Sequence, residues 1–288
     1  MGIAELSFLA VEDHEFQRNV LLRILAGLGA TKVSVAPDGA AALKIVKARD
    51  PPIDIVISDL DMPGMDGVEF MRHLGEAGIP VSIILASALG RSLLASVEMT
   101  TRAHGVRILG VIDKPVTPAK LVALIELHAP ARRDPNQPAT RRKTTGPPLS
   151  FEGIWKGLKK KLDQLLRLAQ PAAPIDRSVL AAICGGDAAA ELEMLADFRR
   201  INDADAAMLK LAVDKRDVPE LANVSNRVKN ASRAVGAIAL AAVCARLESA
   251  SGARGPADWK EIEAHMGGYR RELERLNSCL DAYSGNAK

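Results

Sequence analysis

The first 130 residues alternate short apolar runs with amphipathic ones, and this alternation limits the fold more than any other feature. The apolar runs are Ser7–Val11, Lys32–Ala36, Ile53–Ser58, Val81–Ala86 and Arg107–Ile112. Stretches such as IDIVIS and VSIILA are nearly unbroken, as strands are when helices cover both faces of a parallel sheet. Between the runs, Phe16–Leu28, Gly39–Ala48 and Val116–His128 space their apolar residues as helices do. The pattern predicts a doubly wound α/β domain over residues 1–130, with a five-stranded parallel sheet.

The polar residues that interrupt this pattern fall at strand ends. Glu12 and Asp13 follow the first run, Asp59 the third, Ser87 the fourth and Lys114 the fifth. In a doubly wound sheet the carboxyl ends of the central strands open into one crevice, where ligands bind. Carboxylates crowded there repel one another unless a cation neutralises them, and a hard, oxygen-seeking ion such as Mg²⁺ meets that need. An ammonium and a hydroxyl beside such a cluster can hold the oxygens of a transferring phosphoryl group. Any one of these residues alone would read as a solvated loop residue; five in order, spread over four strand ends, do not.

The acidic pair in VEDH, the stretch SDLDMPGMDG, the hydroxyl in LASA and the DKP tripeptide together resemble the receiver (CheY-like, flavodoxin-like) domain of two-component response regulators. The resemblance implies that Asp59 is the nucleophile that attacks the phosphorus of a phosphohistidine. It implies that Glu12, Asp13, Asp59 and the backbone carbonyl of Asp61 hold Mg²⁺, and that Ser87 and Lys114 engage the aspartyl-phosphate. Met62-Pro63-Gly64 would shape the turn after the acceptor. The chain departs from the family pattern at Val111, where an aromatic usually stands three positions before the lysine. The segment from Ser87 to Lys114 is also long, with a helix expected around Arg91–His104. Phosphorylation is therefore expected to be ordinary and the relay from it altered. His14, at the start of a helix, is expected on the surface.

Residues 131–150, ARRDPNQPATRRKTTGPPLS, hold four prolines and no apolar periodicity, as a flexible linker does. Residues 130–170 carry ten Lys or Arg against three Asp or Glu, a charge of +7 in a chain of net +3, so the remainder is −4. Without a helix-turn-helix or an interleaved aromatic patch, this basic segment reads as a solvated face, and nucleic acid is not an expected partner. Phe151 to Ala169 places its apolar residues on one helix face, with Ser150 as N-cap. Packing on the protein or on a second subunit is preferred for it over a membrane surface.

Strand signals end there. Helices are expected near Arg177–Ile183, Ala188–Val213, Pro219–Ala234, Ile238–Ser251 and Asp258–Ala282, so residues 151–288 predict an all-α bundle. Within it, SNRVKNASRAVGAIALAAVCARLE resembles the phosphorylatable helix of a histidine-phosphotransfer (Hpt) domain: Lys229, Ala231, Ser232 and Gly236 match, as do Gly185-Gly186-Asp187, Phe198, Leu209 and Asp217. The histidine position holds Asn226, and Asn230 stands where glycine is usual. An imidazole nitrogen offers a lone pair near neutral pH, whereas an amide nitrogen has its own delocalised into the carbonyl. The bundle thus has the marks of a degenerate Hpt domain, with no phosphotransfer of its own expected.

No uncharged apolar run approaches the ~18 residues that suggest a membrane span, and the N-terminus lacks the basic start of a signal peptide. Three scattered cysteines, Cys184, Cys244 and Cys279, suit free thiols and a cytoplasmic setting. No nucleophile triad appears, so turnover of an external substrate is not expected. The resemblances imply a sensor histidine kinase as phosphodonor and output through protein contacts, with another response regulator or a second copy as candidate partners. A phosphate sink and a phosphorylation-independent scaffold or pseudo-Hpt inhibitor are the alternatives.

Overall fold

The computed structural model describes residues 2–48, 52–87, 106–128, 173–251 and 257–285. The linker 131–150 and the helices expected at Arg91–His104 and Phe151–Ala169 lie outside them. Five strands, β1 (Ser7–Val11), β2 (Lys32–Ala36), β3 (Ile55–Asp59), β4 (Ser82–Ser87) and β5 (Arg107–Asp113), form one sheet in the order β2-β1-β3-β4-β5. Every neighbouring pair is parallel. The accompanying helices are α1 (Glu15–Gly27), α2 (Gly39–Ala48), α3 (Gly67–Glu76) and α4 (Pro118–Ile125).

Side chains alternate across the sheet, so each central strand feeds two cores. Phe8, Ala10, Ile55, Ile57 and Ile84 pack with Phe16, Val20 and Ile24 of α1 and with Leu121 and Ile125 of α4. Leu9, Val11, Val56, Ile83 and Leu85 pack with Val46 of α2 and with Phe70, Met71 and Leu74 of α3. β1, β3 and β4 are buried along their whole length, which is why their runs are apolar without a break, whereas the edge strand β2 is half exposed. Chain direction through the layers reverses between β1 and β3, and the crevice at their carboxyl ends is the switch point of the sheet.

The second half is helical: α5 (Arg177–Cys184), α6 (Ala188–Lys215), α7 (Val218–Ala234), α8 (Ile238–Ala250) and α9 (Trp259–Gly285). Four of these helices start on an aspartate whose carboxylate accepts from first-turn amides: Asp176, Asp187, Asp217 and Asp258. Gly185 closes α5 in the left-handed region at φ 65°. Gly236, at φ 76°, turns the chain from α7 into α8 so close to α5 that a Cβ there would lie 2.4 Å from the Asp176 carbonyl oxygen. The Gly-Gly-Asp and the glycine of the Hpt-like stretch are thus both required by the backbone.

The two halves share a core. α1 packs on α5, α6 and α7 as well as on the sheet, and one apolar cluster runs from β1 and β3 through α1 into the bundle. Phe16 and Phe198, both buried, meet edge to face with centroids 5.4 Å apart.

Candidate functional site

Two strand ends, those of β1 and β3, deliver the acidic cluster. Glu12 directly follows β1, and its backbone N–H donates to the carbonyl of Ala36, the last residue of β2, at 3.1 Å. Asp59 is the last residue of β3, its strand position fixed by pairing with Ala86 of β4. α3 starts close against it: a Cβ on Gly67 would lie 2.5 Å from the Asp59 carbonyl oxygen, so only glycine lets the helix turn back there. Glu12 and Asp59 are buried, Asp13 is half-buried, and Asp61 is exposed at the rim. Carboxylate oxygens of Glu12, Asp13 and Asp59 lie within 4.8 Å of one another.

Lys114 follows β5 and reaches across the sheet end. Its ammonium donates at 2.7 Å to Glu12 Oε2, to Asp59 Oδ2 and to Gln17 Oε1. Its backbone N–H donates to the Ser87 carbonyl at 2.9 Å, tying the ends of β4 and β5 together, and the Lys114–Pro115 peptide is cis. Ser87 itself is buried at the end of β4. The Asp61 N–H donates to Asp59 Oδ1 at 3.2 Å. Arg18 donates to the carbonyls of Glu12 and Asp13 at 2.9 and 3.2 Å, holding the loop that presents the acidic pair.

Burial and like charge dominate the electrostatics. Glu12 is pushed up to about 7 by burial, against the pull of Lys114 and with a further push from Asp59. Burial and then the Asp59 carboxylate also raise Asp13 and Asp61 above the usual carboxylate range. Burial opposes the charge on Lys114, but the Glu12 and Asp59 carboxylates hold its ammonium well above the ordinary lysine range. A hard divalent cation bound by oxygen atoms would relieve this crowding, so the donor set fits such an ion.

On the bundle side, α7 carries Asn226, Lys229 and Asn230; the two asparagines face the receiver and the lysine does not. Asn226 Nδ2 donates to Asp61 Oδ2 at 3.4 Å. Asn230 donates to Asn226 Oδ1 at 3.2 Å and lines, with Ala234, the cavity that Glu12, Asp59 and Lys114 line from the receiver side. Lys229 turns away and pairs with Glu248 of α8.

His14 corrects the sequence expectation of a surface residue: it is buried, with Nε2 3.0 Å from Asp205 Oδ2 of α6. Arg227 of α7 holds the other oxygen of that carboxylate at 2.9 Å. Nothing in the local sequence of His14 signals a partner 191 residues away. Gln17 was also missed, although it lies one helical turn past Asp13, on the face that looks into the crevice.

The parallel sheet with an acidic cluster at its switch point is the arrangement of a receiver domain. The family model described as response regulator receiver domain matches residues 8–126, and that described as Hpt domain matches residues 193–284. The chain is a receiver domain fused to an Hpt-like domain, the domain composition of two-component phosphorelay proteins. Receiver domains bind Mg²⁺ at an acidic site, and the cluster of Glu12, Asp13 and Asp59 is of that kind.

Among curated relatives, the chain is 32% identical over 130 residues to the cyclic di-GMP phosphodiesterase RocR of Pseudomonas aeruginosa, covering 45% of this chain and 33% of that protein. It is 38% identical over 109 residues to protein-glutamate methylesterase/protein-glutamine glutaminase 2 of Burkholderia thailandensis, covering 38% of this chain and 29% of that one. The matches thus span a third or less of those relatives' length. Similar solved structures include the CheX-CheY-BeF3-Mg complex from Borrelia burgdorferi, at 30% identity over 42% of this chain and 86% of that chain, TM-score 0.37. Another is Vibrio cholerae CheY4, at 26% identity over 43% and 98%, TM-score 0.36. No helix among the described residues is long and apolar enough to cross a membrane.

Proposed function

We propose that the chain is a response regulator that takes a phosphoryl group on Asp59 from a sensor histidine kinase and signals through protein contacts of its Hpt-like domain. The proposed boundaries are a receiver over residues 1–130, a linker over 131–150 and the helical domain over 151–288. One observation carries the reading: the Lys114 ammonium holds Asp59 Oδ2 at 2.7 Å beside two more carboxylates at a sheet switch point.

In the proposed step a carboxylate oxygen of Asp59 attacks the phosphorus of a phosphohistidine. A P–O bond forms, the P–N bond breaks, and the departing imidazole nitrogen takes up a proton from solvent. Glu12, Asp13, Asp59 and the Asp61 carbonyl would hold Mg²⁺, which supplies charge neutralisation between carboxylates and phosphoryl oxygens. Lys114 would follow the phosphoryl group as it arrives on Asp59, with the Ser87 hydroxyl as a second donor. The free cysteines suit a reducing cytoplasm.

Incubation with acetyl phosphate and Mg²⁺ tests the reading. Wild type should gain one phosphoryl group by intact mass, stable to acid and lost to hydroxylamine, and Asp59→Asn should gain none. Equal labelling of the two chains would remove Asp59 from the role.

A further inference from the structure

The helix that carries Asn226 covers the crevice that holds Asp59. α7 contributes Asn230 and Ala234 to the wall of that cavity, and Asn226 reaches the rim at Asp61. Asp59 is only 6% exposed. The cavity measures ≈ 30 Å³, room for about two waters and no more. A phosphodonor needs an in-line approach to the carboxylate, so a protein donor has to occupy the face that α7 holds.

The contact that keeps α7 there is built in two layers. Its centre is apolar and buried: Phe16 of α1 against Phe198 of α6. Beside it the His14–Asp205–Arg227 chain crosses from receiver to bundle. Its edge is ionic and exposed, with both receiver partners on α1. Arg23 pairs with Glu193 at 2.9 Å and lies 3.7 Å from Asp197, and Glu15 pairs with Arg200 at 2.6 Å. Exposed pairs of this kind are worth little each and weaken with salt, which makes the edge the releasable part of the contact.

We infer that the Hpt-like bundle is a resident competitor at its own receiver: docked in cis through α6 and α7, it occupies the approach to Asp59, and release of its ionic edge admits a donor. The inference rests on Asp59 being the phosphoacceptor. With an amide at 226 the docked bundle accepts and returns nothing, so it acts on the receiver by occupancy alone. A donor that binds the receiver more tightly than the bundle does, or a partner that binds the freed α6–α7 face, then sets the fraction of chains open to phosphorylation.

Charge reversal on α1 tests this. The full chain is compared with Glu15→Arg/Arg23→Glu, and with that pair combined with Arg200→Glu, Glu193→Arg and Asp197→Arg, which re-forms the edge with opposite sign. Acetyl phosphate labelling with Mg²⁺ and amide hydrogen exchange in α1 and α7 are both followed. The reversed chain should exchange faster in α1 and label faster, on the order of fivefold for two exposed pairs turned repulsive, and the re-formed chain should return to wild type. Faster exchange with an unchanged labelling rate overturns the competition. Unchanged exchange overturns it too, because the edge then does not release. No label in any of the three chains removes the acceptor reading itself, which the other outcomes leave standing.

Discussion

At the mouth of the sheet, residues from three strand ends converge: Lys114 touches Glu12 and Asp59, and Asp13 lies within metal-bridging reach of both. On α7, Asn226 and Asn230 bond to each other and face the receiver, at Asp61 and in the cavity wall, while Lys229 turns to Glu248, and no group of the three is a nucleophile aimed at Asp59. The two regions resemble the acceptor and the donor of a phosphorelay, yet only the first assembles a reactive group. What the bundle keeps is what its backbone needs: Gly236 against Asp176, the aspartate caps, and the apolar residues beneath α7. On the proposed reading, scaffold and chemistry are separable in this chain, and only the receiver carries both.

The largest break in that contrast should come from Lys114→Met. The ammonium is buried and bonded to two carboxylates, and its removal leaves Glu12 and Asp59 facing each other in a buried crevice. Loss of one partner from a buried ionic cluster costs about 3–5 kcal/mol, read as a lowered denaturation midpoint in chelator. Mg²⁺ should restore part of the loss, because a cation replaces the missing charge. A midpoint within error of wild type in chelator would mean that the carboxylates are far better solvated than their burial implies.

The receiver was legible because its chemistry is written at strand ends. An apolar run followed by an acid, a hydroxyl or a lysine marks where a strand stops and what it presents, so Glu12, Asp59, Ser87 and Lys114 could be placed before any coordinates. The starts and ends of α5, α6 and α7 were legible to within two residues from apolar periodicity and from the glycines that punctuate it, Gly185-Gly186 and Gly236. What could not be read was the contact between the halves. Phe16 looks like any core residue of an amphipathic helix, and its partner Phe198 lies beyond the linker. The same holds for His14 and Asp205: a long-range ion pair leaves no periodicity in either local sequence.

Proton and metal should compete at the receiver and not at the bundle. Glu12 sits near 7, so about one chain in eleven has it ionised at pH 6 and ten in eleven at pH 8. Mg²⁺ binding by calorimetry should therefore strengthen by roughly tenfold across that range. The metal-free chain should move the opposite way. Because Glu12 holds its proton more tightly folded than at its ordinary 4.5, stability in chelator should fall as pH rises from 4.5 towards 7. Affinity independent of pH would take Glu12 out of the metal site.

The smallest effect is expected at Asn226, the residue proposed to stand where an Hpt domain carries its phosphorylatable histidine. Asn226 is half-exposed, and its bond to Asp61 is long at 3.4 Å, close to the limit at which a hydrogen bond contributes at all. Asn226→Ala also takes the acceptor from the buried Asn230 amide, which donates to it at 3.2 Å, so it should lower the unfolding free energy by about 1 kcal/mol and leave amide exchange in α1 unchanged. The bundle's grip on the receiver comes from Phe198, Asp205 and the charged edge, so losing the side chain at the donor position does not loosen it. A large loss from Asn226→Ala would instead make the amide a structural clasp on Asp61. The substitution of histidine by asparagine would then have added a contact as well as removed a nucleophile, and the separation of scaffold from chemistry drawn from the two regions would no longer hold.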